Sequence, residues 1–260
     1  MIVRKSQGEL EAMREGGRIT AACLEMLAEN VRPSVTTGDL DGMAEEFIRS
    51  RGGTPEFKGY EGFPASICAS PNSMIVHGIP GSYRLNEGDI ISLDVGTRFE
   101  GFVTDSATTV AAGEVPERTA TLMEITRRCL TAAIKQVRTG NKLGDIGHAI
   151  QSVAEPEGYG VVRDLVSHGV GRKMHEEPQI PNYGKPGSGP RLLPGMVFAV
   201  EPMITLGSYD IRLDERDGWS IYTADGSLAA HYEHTIAVTE NGPWVLTADD
   251  AGVGEASGAW

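Results

Sequence analysis

Aspartate residues stand in the middle of two predicted β-strands in the stretch ISLDVGTRFEGFVTDSA, residues 91–107. They are Asp94 and Asp105. Aspartate is depleted in strands, and a buried carboxylate is costly unless it is paired, hydrogen-bonded or bound to a metal ion. In an antiparallel hairpin, opposed residues lie about 5 Å apart at Cβ, which suits two carboxylates that share cations. The pair therefore indicates a cation site.

An internal repeat supplies two further carboxylates. Four segments of the first half recur in the same order in the second half: VTTGDL and VRTGNKL, HGIP and HGVG, LNEGDIISLD and LLPGMVFAVE, DSATTV and EHTIAV. The repeat matches Asp94 with Glu201 and Asp105 with Glu233. We therefore expect two halves that pack about a pseudo-twofold axis, with the four carboxylates converging on it.

Four converging carboxylates favour a dinuclear metal site. Without cations they would repel one another and raise one another's pKa values, and two divalent ions about 3.5–4 Å apart would remove that cost. His168, which begins HGVG, would add a nitrogen ligand and favour a transition metal such as Mn, Fe, Co or Zn. The repeat matches His168 with His77 of HGIP, but a substrate approaches from one side only. We therefore expect the two histidines to differ in role.

Blocks of helices and strands must hold these residues. Amphipathic spacing and capping residues predict helices at 6–31, from Thr36 or Thr37 to Gly52, from about Pro116, and from about Leu143 to Pro156, with strands in between. This order predicts an α+β fold. We expect one catalytic domain over residues 1–247, with halves at about 1–112 and 113–247, and a flexible tail at 248–260.

Composition narrows the class of protein. A formal charge of −13 over 260 residues disfavours a broad electrostatic grip on nucleic acid or anionic lipid. No segment approaches the roughly 20 apolar residues of a membrane span, and the start of the chain has no apolar leader. The 3 cysteines are widely spaced and include no C-x-x-C pair. We therefore expect a cytoplasmic protein without a nucleic-acid or membrane partner.

The sequence resembles the type I methionine aminopeptidases of the pita-bread fold over residues 1 to about 247. The motifs that carry the resemblance are CASPNSMIVHGIP, SLDVGT, TDSATT, SHGVGRKMHEEP, FAVEPM and YEHT. It implies two divalent transition-metal ions (Co, Mn, Fe or Zn) bound by Asp94, Asp105, His168, Glu201 and Glu233. It also assigns His77 and His175 to contacts with the substrate and the transition state.

The resemblance implies a hydrolase that removes the N-terminal methionine of nascent polypeptides and prefers a small second residue. We expect a metal-bridged water to attack the scissile carbonyl, Glu201 to act as general base, and His175 to stabilise the oxyanion. The wall of the methionine pocket would include Tyr60, Phe63, Cys68, Met174 and Trp219, with Met174 in place of an expected aromatic residue. We expect a monomer, and a transient ribosome contact is a further partner to consider.

Two other functions stay open. An Xaa-Pro peptidase of the same fold would use the same five ligands. Such enzymes normally carry an extra amino-terminal domain, and we expect this chain to be too short to hold one. A non-catalytic pita-bread binding module would have lost ligands, and here they are intact.

Four further polar residues lie in these motifs or directly next to them. His231 and His234 flank Glu233, and strand alternation predicts that both point to the opposite face from it. Glu176 and Glu177 follow His175, and we expect them to be a solvated charge pair.

Overall fold

Helices and strands both contribute to the structure, a computed structural model that describes residues 1–248. The helices in this range are α1 (Gln7–Asn30), α2 (Thr37–Ser50), α3 (Glu117–Ile134) and α4 (Leu143–Ala154), with short 3₁₀ turns at Tyr60–Gly62 and Glu155–Glu157. None of the helices within residues 1–248 is both long and apolar enough to span a bilayer. The predicted tail lies outside the described residues except for Ala248, whose carbonyl accepts a hydrogen bond from Arg14.

The strands divide between the two halves of the chain. Those of the first half are β1 (Thr54–Pro55), β2 (Cys68–Pro71), β3 (Met74–Val76), β4 (Asp89–Phe99) and β5 (Phe102–Ala112). Those of the second half are β6 (Gly160–Val161), β7 (Val166–Gly169), β8 (Glu176–Pro181), β9 (Val197–Val200), β10 (Met203–Thr205), β11 (Ile211–Leu213), β12 (Ile221–Thr223), β13 (Ala229–His231), β14 (His234–Thr239) and β15 (Gly242–Val245). The expected α+β class is confirmed.

The helix starts follow from capping residues in the sequence. Ser6 precedes α1 and Thr36 precedes α2, and each closes a reciprocal capping box with an acidic residue three positions later, Glu9 and Asp39 respectively. These boxes satisfy backbone N–H groups that have no partner inside the helix. The helix starts predicted near residues 6, 36, 116 and 143 are therefore confirmed.

Each half has its own apolar core. One cluster joins α1 and α2 to β2 and β4 through buried side chains such as Leu24, Leu40 and Leu93. A second cluster joins α3 and α4 to β9 and β14 through side chains such as Leu122, Ile150 and Phe198. The central strands of the two main sheets are β4, which pairs with β1, β2 and β5, and β9, which pairs with β7 and β14. Each half therefore contributes one helix-covered sheet.

The repeat is visible at the turns before β4 and β9. Gly88 and Gly195 have φ angles of 86° and 88°, in the left-handed region that favours glycine. The N–H of Gly88 donates to the Ala112 carbonyl in the first half, and the N–H of Gly195 donates to the Val238 carbonyl in the second. The matched segments LNEGDIISLD and LLPGMVFAVE therefore hold equivalent turns.

Two of the proposed matches between the halves are wrong. Thr36 precedes α2 and bridges to Arg84, and Lys142 precedes α4 and bridges to Arg191 in the same way. The counterpart of VTTGDL is therefore NKLGDI, and the glycine of VRTGNKL lies before the helix.

The match of HGIP with HGVG is also wrong. Segments of the two halves are equivalent when their strands pair with equivalent partners, and these two segments do not meet that condition. His168 lies in β7, which pairs with β9 as β2 pairs with β4. His77 follows β3, which pairs instead with β12.

Candidate metal centre and substrate pocket

Asp94 and Asp105 lie on the long hairpin of β4 and β5. The turn of this hairpin is only Glu100–Gly101, and the register sets Asp94 opposite Ala107 and Asp105 opposite Gly96. The expectation that the two aspartates are directly opposed is therefore wrong, since they are diagonal neighbours on one face. Diagonal side chains still reach each other, and after burial the charge of Asp105 is the next cause that raises the pKa of Asp94.

The second half brings two glutamates and a histidine to the same point. Glu201 directly follows β9 and Glu233 directly precedes β14, while His168 lies in β7 beside β9. Ligand atoms of Asp105, His168 and Glu233 all lie within 4.8 Å of one another. The Nε2 atom of His168 is 3.5 Å from Oε1 of Glu201 and 3.9 Å from Oδ2 of Asp105.

The imidazole of His168 is turned so that it can bind a metal. Its Nδ1 atom is 2.9 Å from the carbonyl oxygen of Gly169. A carbonyl only accepts, so Nδ1 carries the proton and Nε2 presents a lone pair to the carboxylates. Burial lowers the pKa of His168 to about 4, so the ring is neutral near pH 7. This hydrogen bond fixes the tautomer that a metal requires.

The four carboxyl groups are buried against one another. Burial is the largest cause that raises their pKa values, to about 7 for Asp105 and well above the ordinary range for Asp94, Glu201 and Glu233. Neighbouring carboxylates raise the pKa values of Asp94, Glu201 and Glu233 further. Buried oxygens of Asp94, Asp105 and Glu233 have no hydrogen-bond partner among the described residues. Divalent cations would satisfy these oxygens and offset the repulsion, so the donor set fits the expected metal ions.

A cavity of about 830 Å³ opens onto the carboxylates. Every site residue predicted from the sequence lines it: Tyr60, Phe63, Cys68, His77, Asp94, Asp105, His168, Met174, His175, Glu201, Trp219 and Glu233. Phe57, Val76 and Met203 also line it and were missed, because nothing in their local sequence separates them from ordinary core residues.

Aromatic and sulfur-containing side chains form one wall of the cavity. The rings of Phe63 and Trp219 meet edge to face at 5.1 Å between centroids, and Phe57 meets Phe63 at 6.5 Å. A Cβ atom at Gly96 would come within 2.7 Å of both Phe57 and Met174, so the glycine lets these side chains approach β4. Burial raises the pKa of the Cys68 thiol well above its ordinary value, so Cys68 presents a neutral surface.

Two histidines lie between this wall and the carboxylates. His77 has a φ angle of 60°, and its ring meets Trp219 at 6.3 Å. Burial lowers the pKa of His77 to about 4. The ring of His175 lies 4.4 Å from that of His168, and its Nδ1 atom is 2.7 Å from the Tyr60 hydroxyl. Both imidazoles can therefore face a molecule in the cavity.

The expectation of a solvated charge pair is wrong for Glu176. Its carboxylate is 2.7 Å from Nζ of Lys5, and the two side chains are only 11% and 3% exposed. It also accepts the backbone N–H of Arg172 at 2.7 Å. These contacts anchor the loop that carries Met174 and His175. No local sequence pattern indicates an ion-pair partner so distant along the chain.

The expected orientation is also wrong for His231. β13 ends at His231 and β14 begins at His234, so the chain leaves the sheet at Tyr232 and Glu233 and strand alternation does not run through Glu233. The Nε2 atom of His231 lies 3.6 Å from Oε2 of Glu201 and 4.0 Å from Oε2 of Glu233. The strand breaks between His231 and His234, next to Glu233, and strand alternation could not be extended across this break.

His234 turns away from the carboxylates, as expected. Its Nδ1 atom lies 3.0 Å from the Thr247 hydroxyl and 3.4 Å from that of Ser106.

Comparisons with known proteins identify the family of the chain. The model of metallopeptidase family M24 matches residues 11–240. The methionine aminopeptidase of Clostridium acetobutylicum is 50% identical over 248 residues, covering 95% of this chain and 99% of that protein. Methionine aminopeptidase 1 of Bacillus subtilis is 47% identical over 247 residues, with the same coverage of 95% and 99%.

Solved structures extend the agreement to the whole fold. The crystal structure of methionine aminopeptidase from Rickettsia prowazekii matches with a TM-score of 0.94 at 42% identity, covering 95% of this chain and 100% of that one. The prolidase from Pyrococcus furiosus matches with a TM-score of 0.75 at 19% identity and shares the fold alone; 66% of its chain is covered. The expected pita-bread fold and divalent-metal peptidase class are confirmed. The chain belongs to metallopeptidase family M24.

Proposed function

We propose that the protein is a methionine aminopeptidase, which hydrolyses the first peptide bond of chains that begin with methionine. The observation that carries the proposal is the cavity, where buried carboxylates and His168 adjoin a wall that includes Phe63, Trp219 and Met174. An unbranched thioether side chain suits an apolar pocket lined by aromatic and sulfur-containing residues. The relatives named methionine aminopeptidase support the same activity.

The metal ions in this proposal are held by Asp94, Asp105, His168, Glu201 and Glu233. Their convergence, their unpartnered oxygens and the tautomer of His168 support these roles. Bound divalent ions would polarise the scissile carbonyl and make a water nucleophilic near neutral pH.

Glu201 is the general base in this proposal. Its side chain is 15% exposed, against 6% for Asp105 and 2% for Glu233, so its carboxylate has the better access to water in the cavity. A carboxylate in that position can take the proton of the attacking water and pass it to the leaving amine.

His175 and His77 orient the substrate. The Tyr60 hydroxyl can donate to Nδ1 of His175, which leaves the ring proton on Nε2 to bind the substrate carbonyl oxygen. His77 stands beside Trp219 and is neutral near pH 7 because burial lowers its pKa to about 4. It can therefore hydrogen-bond the peptide without adding a charge.

The cellular setting completes the proposal. We propose one catalytic domain over 1–247, with halves at about 1–112 and 113–247, that works as a monomer in the cytoplasm. The separate apolar cores of the halves support this division, and the three cysteines, Cys23, Cys68 and Cys129, are free and buried, as suits a reducing compartment. A transient ribosome contact would bring nascent chains to the site.

Peptide hydrolysis after metal add-back tests the activity. We expect Met-Ala-Ser to be cleaved at least about ten times faster than Leu-Ala-Ser or Ala-Ala-Ser, and Glu-Ala-Ser to be rejected, because the pocket is apolar. Met-Gly-Ser should exceed Met-Lys-Ser. Ala-Pro is the control that separates an Xaa-Pro peptidase. Preference for Ala-Pro would contradict the proposal, and an absence of hydrolysis for every peptide would favour a binding module.

Substitution of the two histidines separates substrate contact from metal binding. His77→Ala should keep the metal content near wild type and lower kcat/KM on Met-Ala-Ser by about 10²-fold, because it removes only a hydrogen bond to the substrate. His168→Ala should lower metal affinity, because an imidazole ligand is lost. Metal content by mass spectrometry and kinetics on both variants decide the matter. Loss of metal from the His77 variant with retention by the His168 variant would reverse the two roles.

A further inference from the structure

We infer that His231 is a positioning residue of the metal centre, whose ring N–H holds the outer carboxylate oxygen of Glu201. The inference rests on the proposed metal role of Glu201 and is independent of which peptide is cleaved. It involves a residue to which the sequence motifs gave no role.

Glu201 lies between two imidazoles. Its Oε1 atom faces Nε2 of His168 at 3.5 Å, and its Oε2 atom faces Nε2 of His231 at 3.6 Å. His168 belongs to the cluster formed with Asp105 and Glu233, so Oε1 is the oxygen turned towards the metal ions. Oε2 is then the outer oxygen, and His231 is the side chain placed to bind it.

The ring nitrogens of His231 are buried and make no hydrogen bond to the described residues. The residue is 1% exposed, and neither ring nitrogen has a hydrogen-bond partner within the described part of the chain. A buried donor without a partner is costly. The 3.6 Å separation from Glu201 is just beyond hydrogen-bonding range, so a small rotation of either side chain would close it.

The backbone of His231 is fixed to the strand that carries Asp105. Its N–H donates to the Thr109 hydroxyl at 2.9 Å, and that hydroxyl lies 2.8 Å from the His231 carbonyl. Thr109 belongs to β5, as Asp105 does. The imidazole therefore projects from a clamped backbone towards Glu201.

These facts favour a positioning role over direct metal ligation. The Nε2 atom of His231 lies nearer to Oε2 of Glu201, at 3.6 Å, than to Oε2 of Glu233, at 4.0 Å, and Oε2 of Glu201 is not the oxygen that faces His168. Carboxylates that bind metals are normally held by a hydrogen bond to their other oxygen, and loss of such a partner typically costs about 10–100-fold in metal affinity. His231 supplies that partner for Glu201.

Metal titration of chelated protein tests the inference without any peptide. Calorimetry with Mn²⁺ or Co²⁺ should show that His231→Leu weakens metal binding about 10–100-fold. His231→Gln, whose amide can donate to the same oxygen, should stay within about threefold of wild type. The visible spectrum of the Co²⁺ protein should change in the Leu variant and not in the Gln variant. A failure of the peptide assay would leave these readouts intact.

His234→Leu is the matched control, because it removes a buried imidazole from the other side of Glu233 and should leave metal affinity within about threefold of wild type. Thermal melts of the metal-free proteins check folding, and His231→Ala replaces His231→Leu if the latter does not fold. Wild-type affinity in the Leu or Ala variant would overturn the inference. So would an equal loss in the Gln variant, which would indicate that only the shape of the ring matters.

Discussion

Removal of the metal ions with a chelator is expected to lower hydrolysis of Met-Ala-Ser at least about a hundredfold. Bound ions would activate the water and polarise the carbonyl, and the proposal assigns neither task to a side chain alone. Addition of Mn²⁺, Fe²⁺ or Co²⁺ should restore the rate. The measurement is kcat/KM before chelation, after it and after add-back, with metal content determined at each stage.

The metal-free protein should also have an unusual dependence of stability on pH. Burial raises the pKa of Asp105 from its ordinary value of 3.8 to about 7, so the folded state binds this proton more tightly than the unfolded state does. The stability that follows is fully present below about pH 4 and is lost as the pH rises through about 7. Between pH 5 and pH 8 the Tm of the chelated protein should therefore fall, apart from changes due to other groups. Saturating metal should remove this fall, since it stabilises the ionised carboxylates.

Two observations would contradict the role of the metal. One is full activity in a sample whose metal content has been verified as zero. The other is a Tm that metal does not raise at pH 8, because ions bound to the buried carboxylates must stabilise the folded state. A chelator saturated before addition with the same metal ion that the protein holds serves as the control for direct effects of the chelator on the protein.

Local sequence rules predicted the frame of the site well. Capping boxes at Ser6 and Thr36 marked where α1 and α2 begin, because each uses residues within three positions of each other. The carboxylates Asp94 and Asp105 stood out because strands rarely contain them. The family resemblance supplied the histidines and pocket residues that the repeat did not, and every predicted site residue lines one cavity.

Register and distant partners could not be predicted in the same way. The diagonal placement of Asp94 and Asp105 depends on the position of a two-residue turn, and a small shift in register changes which residues are opposed. The buried ion pair of Lys5 and Glu176 joins segments far apart in the chain. His231 was misplaced because alternation was applied across a break between two strands. Such features arise from tertiary packing, which no local pattern encodes.

Substitution of Glu201 by Gln is expected to lower kcat on Met-Ala-Ser about 10²–10⁴-fold, the usual range for loss of a general base. The amide keeps the size of the side chain but cannot take the proton of the attacking water. Folding should be spared. Burial raises the pKa of Glu201 well above its ordinary value in the metal-free protein, which favours the uncharged acid there. An uncharged amide therefore resembles the state that it replaces.

The substitution must be read against metal content, because Glu201 is proposed both as a ligand and as the base. The variant should be assayed at metal concentrations that saturate it, with occupancy measured by mass spectrometry, so that the remaining loss of kcat reports proton transfer. Glu157→Gln, which neutralises an exposed glutamate outside the cavity, should behave as wild type. If saturating metal restores kcat of the Glu201 variant to within about threefold of wild type, Glu201 serves only as a ligand and another group must carry the proton. If the rate stays low at full occupancy while the Tm of the metal-free variant matches that of the metal-free wild type, the loss lies in the chemical step, because neither binding of metal nor folding can account for it.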